Sequence, residues 1–357
     1  MWAGIDAGKA HHWAAVVDDT GATVWSGKIA NDEAAILDAL AGILDLAEQV
    51  SWAIEIEAKT DARDAYVIAE TSRVRNDFTA IDVPAQLAAD LALLTAHRSE
   101  LVADRVRMIN RLRDVLTGIS PALERAFDYS AHKGALVLLT GYQTPAAIRR
   151  IGQTRLTAWL ANRKVRSPET VAATALDAAR AQRTTLPGEQ VAATIVAGLA
   201  RQILALDNRV TTTETQIRDT FRAHPQAEII ESLPGIGPIL GAELVVAAGD
   251  LAAYPDAGHL ASAAGLVPVP RDSGRRTGNL HRPKRYSRRL RRVFYLSAQS
   301  SIIRDGPNRD FYLKKRGQGL KHVQAVIALA RRRVDVLWAL LRDNRLFTPT
   351  QPVTPTA

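Results

Sequence analysis

Between residues 190 and 222 the side chains Val196, Leu199, Ile203, Leu206, Val210, Thr213 and Ile217 recur at a strict 3-4-3-4-3-4 spacing. A strand turns alternate residues to opposite faces and cannot hide such a row, whereas a helix of 3.6 residues per turn gathers it into one seam. The spacing therefore predicts one long helix with a coiled-coil seam. That seam needs a cover, either a second subunit or another helix of the same chain.

A second helical pattern runs from about 84 to 126, with Leu91, Leu94, Leu101, Val106, Ile109, Leu112 and Leu116 as its apolar stripe and Arg98, Arg105, Arg107 and Arg111 among its polar positions. Residues 133–183 break into short helical pieces. Aromatics are only 5% of the chain although 47% is hydrophobic, so Ala, Leu, Val and Ile do the packing, as in a largely helical protein. With 357 residues, two compact units joined by something extended are expected.

The amino-terminal end reads differently. Residues 2–6, 11–18 and 22–28 alternate as three short strands, with Asp18-Asp19-Thr20-Gly21 as a turn. A helix over 32–49, a buried strand over 51–56 and a helix over 60–73 follow, giving the order β-β-β-α-β-α. Asp6 ends the first strand and Glu55 lies near the end of the fourth, while Asp61 and Asp64 stand three apart on one helical face. Carboxylates meeting at adjacent strand ends suit two Mg²⁺ or Mn²⁺ ions, because hard cations take oxygen ligands and a phosphodiester needs its charge neutralised on both sides. Taken singly, each acid reads as a solvated surface charge.

Charge divides the chain. Residues 1–85 carry 6 Lys/Arg against 15 Asp/Glu, and the remainder 40 against 22, so an acidic end of net −9 precedes a basic body of net +18. A basic surface of that size recruits phosphate backbone by counterion release, and an acidic pocket beside phosphate requires a cation. The densest basic stretch, 271–292, has 10 Lys/Arg and one acid, and Arg271, Arg275, Arg276, Arg282, Lys284, Arg285, Arg288 and Arg289 are its candidate phosphate contacts. Upstream, Leu233-Pro234-Gly235-Ile236-Gly237 resembles a helix-hairpin-helix turn, in which Gly235 and Gly237 let backbone amides approach a phosphate. An ordinary glycine-rich helix connection is its plain alternative. Ser273, between Asp272 and Gly274, reads from spacing alone as a turn residue.

Several classes are excluded. The chain has no cysteine, so disulfides, thiolate zinc sites and cysteine nucleophiles are absent. No Gly-rich nucleotide loop, HExxH or GxSxG motif occurs. Asp6 interrupts the start before any hydrophobic run develops, and no stretch is expected to reach the roughly 18 apolar residues of a membrane span. A soluble, cytoplasmic and nucleoid-associated protein is the expectation.

The segments GIDAGKAHH, KTDARDAYVIA, SLPGIGPILGAEL, ASAAGLVPVPRDSG, RDFYLKKRGQGLKHVQAVIALARR and VDVLWALL, in order along nearly the whole chain, resemble the IS-one-ten family of insertion-sequence transposases. The resemblance implies a RuvC-like domain of RNase H fold with a DEDD tetrad, a coiled-coil connection, and a carboxy-terminal transposase domain with a nucleophilic serine. Carried over, the tetrad falls on Asp6, Glu55, Asp61 and Asp64, and the nucleophile on Ser273. It further implies a structured guide RNA, donor and target DNA, and a homo-oligomer, dimer or tetramer, whose sites are shared between subunits. One departure stands out: only five residues separate Glu55 from Asp61, where family members carry some tens, enough for a helix and a strand. The sheet is expected to have lost a strand, leaving an altered order or an open edge, and Glu57 is the fallback for Glu55.

The expected architecture is a shortened RuvC-like α/β domain over 1–83, a helical and coiled-coil connector over 84–225, a mainly helical transposase domain over 226–345 and a disordered Pro/Thr-rich tail over 346–357. The expected function is Mg²⁺-dependent, RNA-guided DNA recombination through a phosphoserine intermediate. Two alternatives accompany it: a junction-resolving nuclease in which metal-activated water attacks, and a catalytically inactive nucleic-acid binder.

Overall fold

The computed structural model describes residues 1–55, 62–75, 86–249, 251–270 and 278–348. The chain divides into two compact units, Met1–Val83 and Pro84–Ala357.

In the first unit β1 (Trp2–Ala7), β2 (His11–Val17), β3 (Thr23–Ala30) and β4 (Ser51–Glu55) form one sheet in the order β3-β2-β1-β4. The β1/β2 and β2/β3 pairs are antiparallel and β1/β4 is parallel, with Asp6 opposite Glu55. Helices α1 (Glu33–Leu44) and α2 (Ala62–Val74) cover opposite faces. Ala3 and Ile5 of β1 pack with Ile36, Ala39 and Ile43 of α1, so the even-numbered residues Gly4 and Asp6 face the other way. At Gly4 the backbone of α2 comes so close that a β-carbon there would sit 2.2 Å from the Ala65 carbonyl oxygen and 2.3 Å from the Ala69 nitrogen. Only glycine permits this approach.

The β2–β3 turn is closed by Asp18, whose carboxylate accepts from the Thr20 and Ala22 amides, each at 2.9 Å, and from the Thr20 hydroxyl at 2.7 Å. These donors hold the Asp18 carboxyl below its usual range, the Thr20 hydroxyl foremost. From α2, Tyr66 donates to the Gly21 carbonyl at 3.3 Å and Arg73 to the Asp19 carbonyl at 3.0 Å. The far end of α2 is thereby tied to this turn. Among the described residues β4 pairs with β1 alone, and its Ile54 is 62% exposed.

In the second unit α3 (Gln86–Ile119) and α9 (Glu189–Arg222), 34 residues each, pack along one another. Of the 3-4 seam, Val196, Ile203, Thr213 and Ile217 are buried within this chain. On α3, Leu91, Leu101, Ile109, Leu112 and Leu116 are buried, but Val106, expected in the same stripe, is 50% exposed. Arg98 bonds Glu214 at 2.7 Å and Arg105 bonds Asp207, joining the two helices. Such half-exposed pairs contribute about 0–1 kcal/mol each, whereas each fully buried leucine contributes roughly 2 kcal/mol, so burial holds the helices together.

By length and composition α9 also passes for a membrane span, contrary to expectation. Of that apolar window 33% is buried, and Val196, Ile203 and Ile217 of the seam lie in the protein core.

Between the two long helices lie α4 (Pro121–Ala126), α5 (Lys133–Gly141), α6 (Pro145–Ile151), α7 (Gln153–Ala161) and α8 (Pro168–Arg180), the expected run of short helices. They share a core with the facing ends of α3 and α9. After α9 come α10 (Ala227–Ser232), α11 (Pro238–Ala248) and α12 (Ala257–Ala263), then the two-residue strands β5 (Val269–Pro270) and β6 (Leu280–His281), and finally α13 (Arg288–Ser301), α14 (Pro307–Gly317) and α15 (His322–Arg342). The helix expected over 319–343 is α15. It starts at His322 because Gly319, at φ +87°, ends the α14 segment first.

Arg333 of α15 is 2% exposed and has no carboxylate partner among the described residues. Its guanidinium donates to Ser297 Oγ of α13 at 2.9 and 2.7 Å and to the Pro234 carbonyl of the α10–α11 turn. Burial alone pulls its pKa down to about 10. One buried cation thus fastens three elements.

Arg333→Met leaves the Pro234 carbonyl and the Ser297 hydroxyl without their donor, and is expected to cost about 2–4 kcal/mol in urea unfolding, against less than about 0.5 kcal/mol for the exposed Arg289→Met. Gly4→Ala drives a methyl group into the α2 backbone and is expected to cost about 3 kcal/mol or more. Gly42→Ala, where a β-carbon meets nothing within 4 Å, is expected to leave thermal stability unchanged or raised.

Candidate metal and nucleic-acid sites

Asp6 closes β1 with only 2% of its surface exposed, and Glu55, its register partner on the parallel neighbour, is exposed at the end of β4. Paired residues of adjacent strands share a face, so both belong to the face that α2 crosses. Arg73 and Tyr66 anchor α2 at the β2–β3 turn, which adjoins the start of β1 because Val17 pairs with Trp2. The opposite end of α2, its first turn with the exposed Asp64, is therefore directed toward the ends of β1 and β4 that carry Asp6 and Glu55.

The sequence-predicted acids Asp6, Glu55 and Asp64 thus come to one edge of the first unit. Asp61, and with it Glu57, lies outside the described residues. Among the described residues no three Asp, Glu or His side chains converge closely enough to hold a metal ion. An all-oxygen donor set of this kind fits Mg²⁺ or Mn²⁺ in chemistry, with Asp6 and Glu55 as the adjacent pair and Asp64 contributed from the helix. His12 is not an alternative ligand of this set: its Nδ1 accepts from the Gly8 amide at 3.2 Å and its Nε2 lies 3.1 Å from Asn31 Oδ1.

In the second unit Ser273, Arg271, Arg275 and Arg276 fall outside the described residues. What is described is the chain on either side of them. Val269 pairs with His281 and Pro270 with Leu280, so the chain leaves and returns at one point. Immediately after this clip, Arg282, Lys284 and Arg288 line an open cavity of about 370 Å³ together with His281 and Tyr286. Tyr286 is wedged against Gly265, where φ is +65° and a β-carbon would lie 2.5 Å from the ring, and the guanidiniums of Arg282 and Arg291 stand 5.6 and 5.4 Å from the ring centre. The aromatic ring fixes part of an otherwise repulsive cluster. Arg285 is exposed beside it.

Arg289 borders a second cavity, of about 270 Å³, with Arg98, Arg292 and Glu243. Glu243 pairs with Arg292 and approaches Arg98 at 4.0 Å, while Arg289 has no acid partner among the described residues.

The turn at Leu233–Gly237 does join two helices, α10 and α11. Gly235, at φ +87°, faces α13: a β-carbon there would lie 2.6 Å from the Ser297 carbonyl oxygen. Packing accounts for this glycine. Gly237 is extended and open, and precedes α11 without a side-chain cap. Sequence reading missed Arg333, which secures the turn through Pro234, since an arginine inside an amphipathic helix gives no sign of being buried.

Two family profiles match the chain. One described as "Transposase IS116/IS110/IS902 family" covers residues 227–313. Another described as "Transposase", for the DEDD type of IS110, covers residues 3–58 and then 56–121. The 44.8 kDa protein of insertion element IS116 from Streptomyces clavuligerus is 56% identical over an alignment of 393 positions, spanning 100% of this chain and 98% of the relative. The 42 kDa protein of insertion element IS900 from Mycobacterium paratuberculosis is 47% identical, over 98% and 97% of the two chains. The 43.6 kDa protein of insertion element IS110 from Streptomyces coelicolor is 34% identical, over 83% and 74%. With an amino-terminal DEDD-type domain, a carboxy-terminal transposase domain and near full-length identity above one half, the chain belongs to the IS110/IS116/IS902 family of insertion-sequence transposases.

Proposed function

We propose that the chain cuts and rejoins DNA as a Mg²⁺-dependent recombinase guided by a structured RNA, working as a homo-oligomer on donor and target DNA. The observation that carries the reading is the pairing of the buried Asp6 with Glu55 at parallel strand ends, with the first turn of α2 directed toward them. Asp6, Glu55, Asp61 and Asp64 are the ligands of the metal ions in this reading. Bound divalent ions would neutralise the phosphodiester and the charge that builds on it.

Ser273 is the nucleophile. Its Oγ forms a bond to phosphorus as the bond from phosphorus to a deoxyribose oxygen breaks; the serine proton is lost to a base and the departing oxygen is protonated. Attack by a free DNA hydroxyl on the phosphoserine then reverses the exchange, so no phosphate ester is lost and no external energy source is needed. Arg271, Arg275 and Arg276 beside the serine offset the charge on phosphorus. Arg282, Lys284, Arg285, Arg288 and Arg289, with the Gly235–Gly237 turn, hold the backbone of the nucleic acid.

A shortened segment between Glu55 and Asp61 is part of this reading. Its supports are the division of the amino-terminal profile match at residues 56–58 and an alignment to the IS116 protein of 393 positions for a chain of 357 residues. One observation favours a second reading, a nucleic-acid binder without catalysis: the absence of three converging acids among the described residues.

With Mg²⁺, element-end DNA and RNA transcribed from the element, the wild-type chain is expected to give a covalent protein–DNA adduct on denaturing gels. Ser273→Ala should abolish the adduct and Asp6→Asn should reduce it at least about 100-fold, with DNA binding retained in both. An undiminished adduct in Ser273→Ala refutes the nucleophile. Cut ends without any adduct select the water-activating nuclease, and salt-sensitive binding without cutting selects the inactive binder.

A further inference from the structure

The helices α4–α8 form a module that neither family profile reaches, the matches ending at residue 121 and resuming at 227. Where its α4–α5 and α7–α8 loops meet there is an open cavity of about 530 Å³, a size suited to a nucleotide rather than a bare ion. His132, Lys133, Arg163, Lys164, Arg166 and Ser167 line it, and no acid is among its lining residues. Lys133, Lys164 and Arg166 are exposed and have no carboxylate partner among the described residues.

The cluster is built rather than incidental. The two loops are clamped together, because a β-carbon at Gly134 would lie 2.7 Å from Val165 Cγ1. Arg163 lies flat on Trp159, its guanidinium 3.7 Å from the ring centre, and donates to the Trp159 carbonyl at 3.2 Å. Lys164 and Ser167 adopt left-handed backbone at φ +56° and +53°, two of three non-glycine residues that do so among the described residues. At Lys164 this is the turn that ends α7, where the Val165 amide donates to the Leu160 carbonyl at 3.2 Å and sets the direction of the loop that carries Lys164 and Arg166.

Two helix starts add to the positive field. The first turn of α5 (nine residues) and that of α8 (thirteen residues) both border the cavity. Ser167 makes no side-chain cap to α8, leaving the amides of that turn without one. At α5 the His132 Nδ1 accepts from the Ala135 amide at 3.2 Å, which puts the ring proton of the neutral imidazole on Nε2, a donor with no partner among the described residues. Cations, uncapped amides and a ring N–H converge in a lining that holds no acid, Glu169 standing beside it in the first turn of α8, and an anion entering there relieves their mutual repulsion.

We propose that this module is a second nucleic-acid-binding element, which grips the phosphodiester backbone of one strand in the cavity between its α4–α5 and α7–α8 loops. The grip is separate from the basic cluster at 282–289 and does not depend on Ser273 or on the amino-terminal acids.

Fluorescence anisotropy of the full chain across a range of salt tests it with two probes, a single-stranded RNA of about 30 nucleotides and a DNA duplex of about 30 base pairs, both of arbitrary sequence. Lys133→Glu with Arg166→Glu is compared with Arg150→Glu and Arg183→Glu, which make the same charge change on exposed residues of the module outside the cavity. The cavity pair is expected to weaken binding of at least one probe about tenfold or more and to flatten log K against log salt by about 2, while the outside pair loses less than about threefold. Loss on RNA alone identifies RNA as the strand held, loss on the duplex alone identifies DNA, and loss on both identifies backbone common to them. Lys133→Gln with Arg166→Gln repeats the comparison should reversal disturb the helical circular dichroism. Equal losses from the two positions, or no loss from the cavity pair, as for a site taking only free inorganic phosphate, overturn the proposal.

Discussion

The approach of α2 to β1 at Gly4 governs the first unit. With no side chain between them, helix backbone meets strand backbone, and the face beyond Gly4 is sealed from water as far as Asp6. A carboxylate in such a position is costly unless something positive or hydrogen-bonding answers it. The same contact fixes the direction of α2, so that its acidic first turn approaches the strand ends while Arg73 secures the other end at the β2–β3 turn. One absent methyl group therefore sets both the burial of Asp6 and the orientation of α2.

The second unit solves a different problem. Two helices of 34 residues would each expose a long apolar seam, and pairing them within the chain covers part of both. Around this spine the charges separate by task. Arginines of the spine itself pair with Glu214 and Asp207, while Lys133, Lys164 and Arg166 at one place and Arg289 at another lack acid partners among the described residues. Ion-paired arginines and cations without such a partner thus occupy different parts of this unit.

Much of the fold was legible in the sequence. Strand and helix periods located the described elements of the first unit, and the 3-4 spacing located α9, because those signals are local and repeated. The cover of the seam was not legible, since spacing records that a face is apolar and not what meets it. Val106 was misread for a different reason: it stands five residues after the buried Leu101, about 140° round the helix from it, and so falls beside the buried stripe although α9 opposes this part of α3. Of the acids singled out, the register sets Asp6 and Glu55 side by side at parallel strand ends, whereas Arg333 was invisible because burial of an arginine depends on Ser297 and Pro234, remote in sequence. The lysine and arginine cluster around the α7–α8 loop also escaped notice, its members being scattered over 133–166 and gathered only by two loops meeting.

The central claim is that the acids at the strand ends of the first unit hold divalent cations. Titration of the full chain with Mn²⁺, followed by electron paramagnetic resonance of the free ion, tests it directly. The account predicts saturable binding that weakens at least about tenfold in Asp6→Asn and in Asp64→Asn but not in Asp38→Asn, which alters an acid of α1 on the opposite side of the sheet. Wild-type protein that takes up no Mn²⁺, or binding indifferent to Asp6 and Asp64, would contradict it.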